Sequence, residues 1–481
     1  MKERTFICSL SFLFLSLHAF IDTGCEKVSN TTLHKVTQSD STQPTDVAKR
    51  TAPSSAKAPD YAALGEKFID LLVQEKYPEA FSWFDKKMAT ALPVDKLELV
   101  WKSIGDRFGA FQKRIKTQTT KRDDYFIALV FCQFKTKVVI SKVVFSGKKV
   151  AGLFFFPNKG DNAQLYQAPS YADLNSFSEI EVTVGKGKWK LPGTISMPKG
   201  PGPFSAVVLV HGSGPHDRDE SIGPNKPFRD LAWGLASKGI AVLRYEKRTK
   251  AHADAMHGIR ETITTKGETI VDAGLAVELL RGTKKVNPKQ VFVLGHSLGG
   301  TLVPRISNIS PNAAGFIIMA GSTRPLEDLI MEQTKYVLEL DGSLSTEDKE
   351  TLKAVKEKVS RVKDKNLSIK TPAEKLPFSV PAAYWLDLRG YDPAKAAESI
   401  NRPMLVMQGG RDYQVTLKDF LGWKKHLSKR SDVTFKLYPD LNHLFMEGKG
   451  KSKPAEYQVP GHIFKKVIED ISKWIKSKNS H

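Results

Sequence analysis

Over residues 179–481, short apolar runs alternate with segments of helical periodicity. The apolar runs predict strands, of which the first and third are expected to be buried: Ala206–Val210, Ile240–Arg244, Val291–Leu294, Ala314–Ala320, Met404–Gln408 and Val433–Leu437. The segments between or after them place apolar residues on one helix face: Phe228–Lys238, Thr269–Arg281 and Phe464–Lys476. Strands that alternate with helices predict an α/β fold, with a mostly parallel sheet and helices on both faces.

Residues 60–158 show a different order of elements. Apolar residues at helical spacing come first, and three strand-like segments follow at Tyr125–Phe134, Lys137–Phe145 and Val150–Phe156. Helices followed by antiparallel strands predict a separate small α+β domain. Residues 159–178 are polar and contain prolines, which indicates a linker before the larger domain.

An insertion of about residues 322–400 interrupts the alternation of strands and helices. It contains two charge-rich helical segments, Leu326–Leu340 and Glu347–Asp364, and an aromatic pair at Tyr384 and Trp385. Because ligands bind at the carboxyl edge of parallel sheets, an insertion between two core strands predicts a cap over that edge. The alternative is a structural excursion that makes no contact with substrate.

The N-terminus has the pattern of an export signal. Lys2 and Arg4 precede an apolar run, Phe6–Phe20, and small residues lead to Cys25. Residues 1–25 therefore predict a signal peptide and an exported protein of the bacterial periplasm or cell envelope. Cys25 stands where a lipoprotein would be lipidated and tethered to a membrane, although Asp22 departs from that pattern, and ordinary cleavage remains the alternative. Residues 26–59 are rich in Ser, Thr, Ala, Pro and Lys and predict a disordered tether.

Composition excludes several classes of function. The 481 residues include 73 basic and 52 acidic side chains, and the net charge is +21. The lysines are spread along the chain without zinc-finger spacing or an aromatic-basic motif, so a nucleic-acid partner is not expected. Only Cys132 lies outside the N-terminal segment, so neither a disulfide framework nor a Cys/His metal cluster is expected. No cofactor is predicted.

The sequence Gly295-His-Ser-Leu-Gly299 directly follows the strand Val291–Leu294. A G-x-S-x-G sequence after a strand is typical of a nucleophile elbow, a tight strand-to-helix turn that presents serine at the sheet edge. The two glycines leave room for the neighbouring backbone. Ser297 is therefore the predicted nucleophile, and an ordinary glycine turn is the alternative.

A serine nucleophile needs a base and an acid, which follow it in that fold in the order serine, acid, histidine. Asp412 comes just after the strand Met404–Gln408, and His443 comes after the strand Val433–Leu437. Both positions are loops at the carboxyl edge of the sheet. Asp412 is thus the predicted acid and His443 the predicted base, with Asp440 as the rival for the acid.

The oxyanion formed in acyl transfer needs two backbone N–H donors. Leu298 directly follows Ser297 at a helix N-terminus, and the glycine-rich loop after Ala206–Val210 supplies Ser213, with Gly212 as second choice. Two charged segments, Pro215–Glu220 and Arg244–Arg248, lie near the same edge. They are interpreted as ion pairs that brace the oxyanion loop, with binding of a charged acyl or leaving group as the alternative.

Five motifs, taken in their order along the chain, are more specific than any one of them alone. They are His211-Gly-Ser-Gly-Pro-His-Asp-Arg-Asp-Glu220, Asn225-Lys-Pro-Phe-Arg-Asp230, Gly295-His-Ser-Leu-Gly-Gly300, Arg411-Asp-Tyr-Gln414 and Leu441-Asn-His-Leu-Phe445. The chain resembles bacterial secreted α/β-hydrolase esterases that carry an N-terminal nuclear-transport-factor-like domain of unknown function. The likeness covers about residues 60–478. It implies a cofactor-free hydrolase of short-chain carboxylic esters, with Ser297, Asp412 and His443 as nucleophile, acid and base.

The predicted function is therefore hydrolysis of small-molecule esters by a serine carboxylesterase. Two other classes remain open at this point. One is a peptidase or amidase of prolyl-oligopeptidase type, which shares the triad but expels a poorer leaving group. The other is a non-catalytic binding protein tethered to the envelope, against which the complete set of catalytic residues argues. The oligomeric state is left open.

Overall fold

The computed structural model describes residues 59–122, 125–158 and 166–478. The predicted signal peptide, Cys25 and all but the last residue of the predicted tether lie outside the described residues and stay predictions. The described residues divide into two compact units, a smaller one within residues 59–158 and a larger one within residues 166–478. Along the described part of the chain, no helix combines the length and apolar character that crossing a membrane requires.

The smaller unit packs four helices on an antiparallel sheet. Its helices are α1 (Tyr61–Val73), α2 (Tyr77–Phe81), α3 (Lys86–Ala91) and α4 (Val94–Phe108), and its strands, in spatial order, are β1 (Phe111–Arg122), β2 (Tyr125–Phe134), β3 (Val138–Ser146) and β4 (Lys149–Pro157). The Asp60 carboxylate caps α1 by accepting the amides of Ala62 and Ala63 at 3.0 and 3.1 Å. Its core is aromatic and includes Phe68 and Trp101. This is the α+β order that the sequence predicts, with one strand more.

The larger unit is built on an eight-stranded sheet. Its strands are β5 (Phe177–Val184), β6 (Leu191–Pro198), β7 (Phe204–Val210), β8 (Ala241–Tyr245), β9 (Val286–His296), β10 (Gly315–Met319), β11 (Met404–Gly409) and β12 (Val433–Tyr438). Their order is β12-β11-β10-β9-β7-β8-β6-β5. The strands from β12 to β8 are parallel, whereas β6 and β5 add antiparallel strands at one edge. The predicted α/β class with a mostly parallel sheet is confirmed.

Helices cover both faces of this sheet because its central strands are apolar on both sides. In β7, Ala206, Val208 and Val210 point into one core, while Val207 and Leu209 point into the other. The helices are α5 (Pro227–Ala236), α6 (Arg248–Ala251), α7 (Ala253–Gly258), α8 (Val271–Arg281), α9 (Leu298–Thr301), α10 (Val303–Ile309), α11 (Leu326–Leu338), α12 (Thr346–Lys363), α13 (Ala382–Leu388), α14 (Pro393–Ala397), α15 (Leu417–Leu427) and α16 (Lys465–Lys476). A π turn, Lys266–Ile270, leads into α8.

Helices α11 to α14 lie in the chain between β10 and β11, where the sequence predicts the cap insertion. At the other end of the unit, part of the predicted linker packs against the larger domain. The Tyr166 hydroxyl bonds to Asp230, and its ring lies 5.5 Å from that of Trp233. Strand β5 already begins at Phe177, so residues 166–178 belong to the larger unit.

Candidate active site

Ser297 occupies a strained turn between β9 and α9. Its φ is 53°, in the left-handed region that side chains rarely adopt. A Cβ on Gly295 would lie 2.3 Å from the Gly299 carbonyl oxygen, and one on Gly299 would lie 2.3 Å from that of Val210. Both positions therefore require glycine. Ser297 is half-buried, whereas the residues on either side of it are buried, so the turn presents this side chain at the carboxyl edge of the sheet.

Asp412 and His443 meet at the same edge, in the loops after β11 and β12. His443 Nδ1 lies 2.7 Å from Asp412 Oδ2. The same oxygen accepts Gln408 Nε2 at 3.0 Å, and Oδ1 accepts the amides of Gln414 and Val415 at 2.8 and 3.0 Å. Four donors thus hold the carboxylate in place. The rival, Asp440, is exposed, and it is Asp412 that the structure joins to His443.

His296 connects the elbow to the histidine loop. Its Nε2 lies 3.0 Å from the His443 carbonyl oxygen, and the two imidazole rings are 4.8 Å apart. The Ser297 amide donates to the Met319 carbonyl at 2.9 Å, which fixes the turn against β10. Within the described residues, no hydrogen bond joins the Ser297 hydroxyl to His443. The link between the elbow and the loop that carries His443 is thus the His296 contact, while the Ser297 amide fixes the turn against β10.

The predicted oxyanion loop lies beside Ser297. A Cβ on Gly212 would stand 3.1 Å from the Ser297 Cβ and 3.6 Å from its hydroxyl oxygen. The Gly212 amide donates to Glu220 Oε1 at 2.6 Å, so this second-choice donor is already engaged. For the amides of Ser213 and Leu298, the described part of the chain supplies no acceptor. These two N–H groups are the ones that remain available to an incoming anion.

A buried ion pair between Glu220 and His296 connects the oxyanion loop to the nucleophile elbow. Glu220 Oε2 lies 2.8 Å from His296 Nδ1, and both side chains are almost fully buried. Burial alone would raise the pKa of Glu220, but the charge and hydrogen bond of His296 lower it to about 2. Burial likewise acts to lower the pKa of His296, and Glu220 reverses this and raises it. A charged pair therefore links the oxyanion loop to the residue that precedes Ser297.

This pair predicts a particular pH dependence of stability. The raised pKa of His296 stabilises the fold fully below about pH 6.5, and this contribution is lost as pH rises through the folded-state pKa. The lowered pKa of Glu220 contributes above about pH 4.5 and is lost as pH falls toward 2. We expect Glu220→Gln, which keeps an acceptor for the Gly212 amide, to reduce the free energy of unfolding more at pH 5.5 than at pH 8.5. Urea unfolding of both proteins at both pH values measures this difference, and an equal or larger loss at pH 8.5 would contradict it.

The two charged segments form the predicted braces. Arg218 of the first segment bonds to Glu246 of the second at 3.0 Å, and Arg244 bonds to Asp219. Lys247 donates to the Gly212 carbonyl at 2.7 Å. Sequence reasoning identified these segments as a group but missed the separate roles of Glu220, His296 and Lys247. The positions of Glu220 and Lys247 inside otherwise charged loops were the only signal, because their burial depends on tertiary packing.

The cap insertion contacts the elements that carry the site. In α11, the Tyr336 ring stacks on Tyr413 at 4.9 Å, and the Gln333 side chain donates to the Gln414 carbonyl at 2.9 Å. Farther along, the Tyr391 hydroxyl donates to the carbonyl of Thr301, the last residue of α9, at 2.9 Å. The insertion thus lies against both the Asp412 loop and the helix that follows Ser297.

Among the described residues, no group of three or more His, Cys, Asp or Glu side chains is arranged to hold a metal ion.

Two parts of the chain match known protein families. Residues 201–450 match the family described as serine aminopeptidase, S33, and residues 65–153 match a family described as a protein of unknown function, DUF3887.

One named relative and two solved structures are similar to the chain. The chain is 40% identical over 410 residues to esterase EstD of Thermotoga maritima, covering 85% of this chain and 93% of that protein. Similar solved structures include an esterase of Pyrococcus furiosus, with a TM-score of 0.40, 16% identity and 63% and 92% of the two chains covered. Est1E of Butyrivibrio proteoclasticus has a TM-score of 0.41 and 13% identity, and covers 63% and 99%. The chain therefore belongs to the S33 family as a bacterial α/β-hydrolase esterase, with a DUF3887 domain before the hydrolase domain.

Proposed function

We propose that this esterase cleaves short-chain carboxylic esters through a triad of Ser297, His443 and Asp412. The observation that carries the proposal is the 2.7 Å contact between His443 Nδ1 and Asp412, at the sheet edge where Ser297 stands at positive φ. A histidine whose Nδ1–H donates to a carboxylate keeps the lone pair of Nε2 for a proton. That tautomer is the one a general base needs.

In the acylation step, His443 Nε2 takes the proton from the Ser297 hydroxyl as its oxygen attacks the ester carbonyl. Asp412 stabilises the imidazolium that forms. The amides of Leu298 and Ser213 donate to the oxygen that becomes negative. Leu298 is the first residue of α9, and the N-terminus of a helix favours an anion. When the tetrahedral intermediate collapses, the bond to the leaving alkoxide breaks and His443 returns the proton to it.

Deacylation repeats these steps with water as the nucleophile. His443 removes a proton from the water, the hydroxide oxygen attacks the acyl-enzyme, and the carboxylic acid leaves as Ser297 recovers its proton. Every proton moves between His443 and an oxygen atom. The proposed residues therefore account for every proton transfer in the cycle, with water as the co-substrate.

A preference for short acyl chains is part of the proposal. It is supported by the family resemblance in the sequence and by the position of the cap. Helix α11 packs on Tyr413 and Gln414, and Val337 of that helix clusters with Leu444, which follows His443. These contacts place the cap against the residues that adjoin Asp412 and His443, and this packing is our reason for expecting a short acyl chain.

A panel of p-nitrophenyl esters with acyl chains from acetyl to palmitoyl, together with alanine p-nitroanilide, tests the substrate class. We expect kcat/KM to be highest for acetyl to hexanoyl esters and at least about 10-fold lower for lauroyl. Each methylene that does not fit the site raises the activation free energy by about 1 kcal/mol or more. The anilide should be cleaved at least about 10³-fold more slowly, because its leaving group is poorer. Comparable turnover of ester and anilide would instead favour the peptidase alternative, and a maximum at palmitoyl would contradict the short-chain preference.

A further inference from the structure

Of the four backbone polar groups of Gly212 and Ser213, three have a partner within the described residues. The Gly212 amide donates to Glu220 Oε1 at 2.6 Å, and the Gly212 carbonyl accepts Lys247 Nζ at 2.7 Å. The next carbonyl, that of Ser213, lies 2.6 Å from His216 Nε2. The remaining group is the Ser213 N–H, for which the described residues supply no acceptor. This N–H is the donor that the proposed mechanism directs at the oxyanion.

Lys247 is an unusual residue to find on that carbonyl. It is 2% exposed, and its ammonium lies 3.1 Å from Glu268 Oε1, whose residue is also 2% exposed. The other carboxylate oxygen of Glu268 accepts the hydroxyl of Tyr384, from cap helix α13, at 2.9 Å. Burying a charged lysine is costly, and its pairing with Glu268 offsets that cost only in part. Nothing in that pairing requires the second contact of the ammonium, to the Gly212 carbonyl.

The geometry of the Gly212–Ser213 peptide gives this second contact of Lys247 a consequence for the site. In a planar trans peptide, the carbonyl of one residue and the N–H of the next point in opposite directions. An ammonium that holds the Gly212 oxygen therefore fixes the direction of the Ser213 N–H away from Lys247. A cation on the carbonyl also polarises the amide, and in a buried site this strengthens the opposite N–H as a donor.

We propose that Lys247 is a positioning residue for the oxyanion hole, which orients and polarises the Ser213 amide through the Gly212 carbonyl. This inference rests on the proposed triad mechanism, because it assigns to the Ser213 amide the role that the mechanism requires. Lys247 itself does not touch the substrate. Glu268 and Tyr384 hold the ammonium in place, and they connect this positioning to the cap.

Lys247→Met tests the inference, because methionine fills a similar volume without charge. We expect kcat for p-nitrophenyl butyrate to fall about 10- to 100-fold with KM within about 3-fold, less than the loss from deleting an oxyanion donor outright. The affinity for phenylboronic acid, which forms a tetrahedral adduct on a nucleophilic serine, should weaken by a similar factor. Lys250→Met, which removes an exposed lysine three residues away in α6, is the matched control and should leave both quantities unchanged.

Lys247→Met leaves Glu268 buried without its partner, and the single variant could therefore fail to fold. The double variant Lys247→Met/Glu268→Gln removes both charges and carries the same expectation. If a folded variant of either kind keeps kcat and boronate affinity within about 3-fold of wild type, Lys247 has no positioning role. That result is distinct from failure of the mechanism itself, in which wild-type Ser297 would not react with a fluorophosphonate.

Discussion

Ser297→Ala should lower kcat/KM for p-nitrophenyl butyrate by about 10⁵- to 10⁶-fold, the largest effect expected of any single substitution in this chain. Alanine removes the atom that attacks the ester carbonyl, so no acyl-enzyme can form. Any residual rate would come from substrate binding and the Leu298 and Ser213 amides. A fluorophosphonate should modify the wild-type protein at Ser297 and leave the variant unmodified, as intact mass and peptide mapping would show.

The same substitution should leave the fold almost unchanged. The Ser297 hydroxyl makes no hydrogen bond within the described residues, so its removal leaves no partner unsatisfied. Alanine at φ 53° bears the same backbone strain as serine. Ser399→Ala, at an exposed position remote in sequence from the site, controls for removal of a serine hydroxyl. Retained hydrolysis by Ser297→Ala with an unchanged Tm would remove Ser297 from the mechanism.

The sheet of the larger unit was predictable where burial alone determines a strand. The strands β7 to β11 carry apolar runs, whereas β12 is only partly buried, and all six were predicted to within a few residues apart from the polar first half of β9. Strands β5 and β6 of this sheet, and β1 of the smaller unit, left no such signal. Strand β1 is mainly Lys, Arg, Thr and Gln, and it is a strand because it pairs antiparallel with β2. Strand β5 is mostly exposed, and β6 contains Pro192 and Gly193, so neither has the pattern of a core strand.

The positions of the proposed catalytic residues were predictable for a different reason. Ser297, Asp412 and His443 each follow an apolar strand, and the carboxyl ends of parallel strands share one edge. The supporting network could not be predicted in this way. Glu220, His296 and Lys247 act through burial and mutual contacts between segments far apart in sequence, and no local pattern distinguishes them from exposed charges. The same limit applied to the acid, for which Asp412 and Asp440 both stood in suitable loops.

Asp412→Asn resolves that choice of acid and should lower kcat by about 10⁴-fold with little change in KM. The asparagine amide would donate to His443 Nδ1, which forces the imidazole proton onto Nε2. His443 could then no longer accept the proton from Ser297. The carbonyl oxygen of asparagine can still accept the amides of Gln414 and Val415, so the loop should keep its conformation and Tm should fall only slightly.

Asp440→Asn is the matched control, because it makes the same chemical change three residues before His443, at an exposed side chain. We expect its kcat to stay within about 3-fold of wild type, as is usual for a surface substitution that touches no site residue. Steady-state kinetics on both variants, with Tm measured alongside, separate the two assignments. If Asp440→Asn shows the large loss and Asp412→Asn does not, the acid is Asp440, and the 2.7 Å contact between Asp412 and His443 serves only to hold the loop.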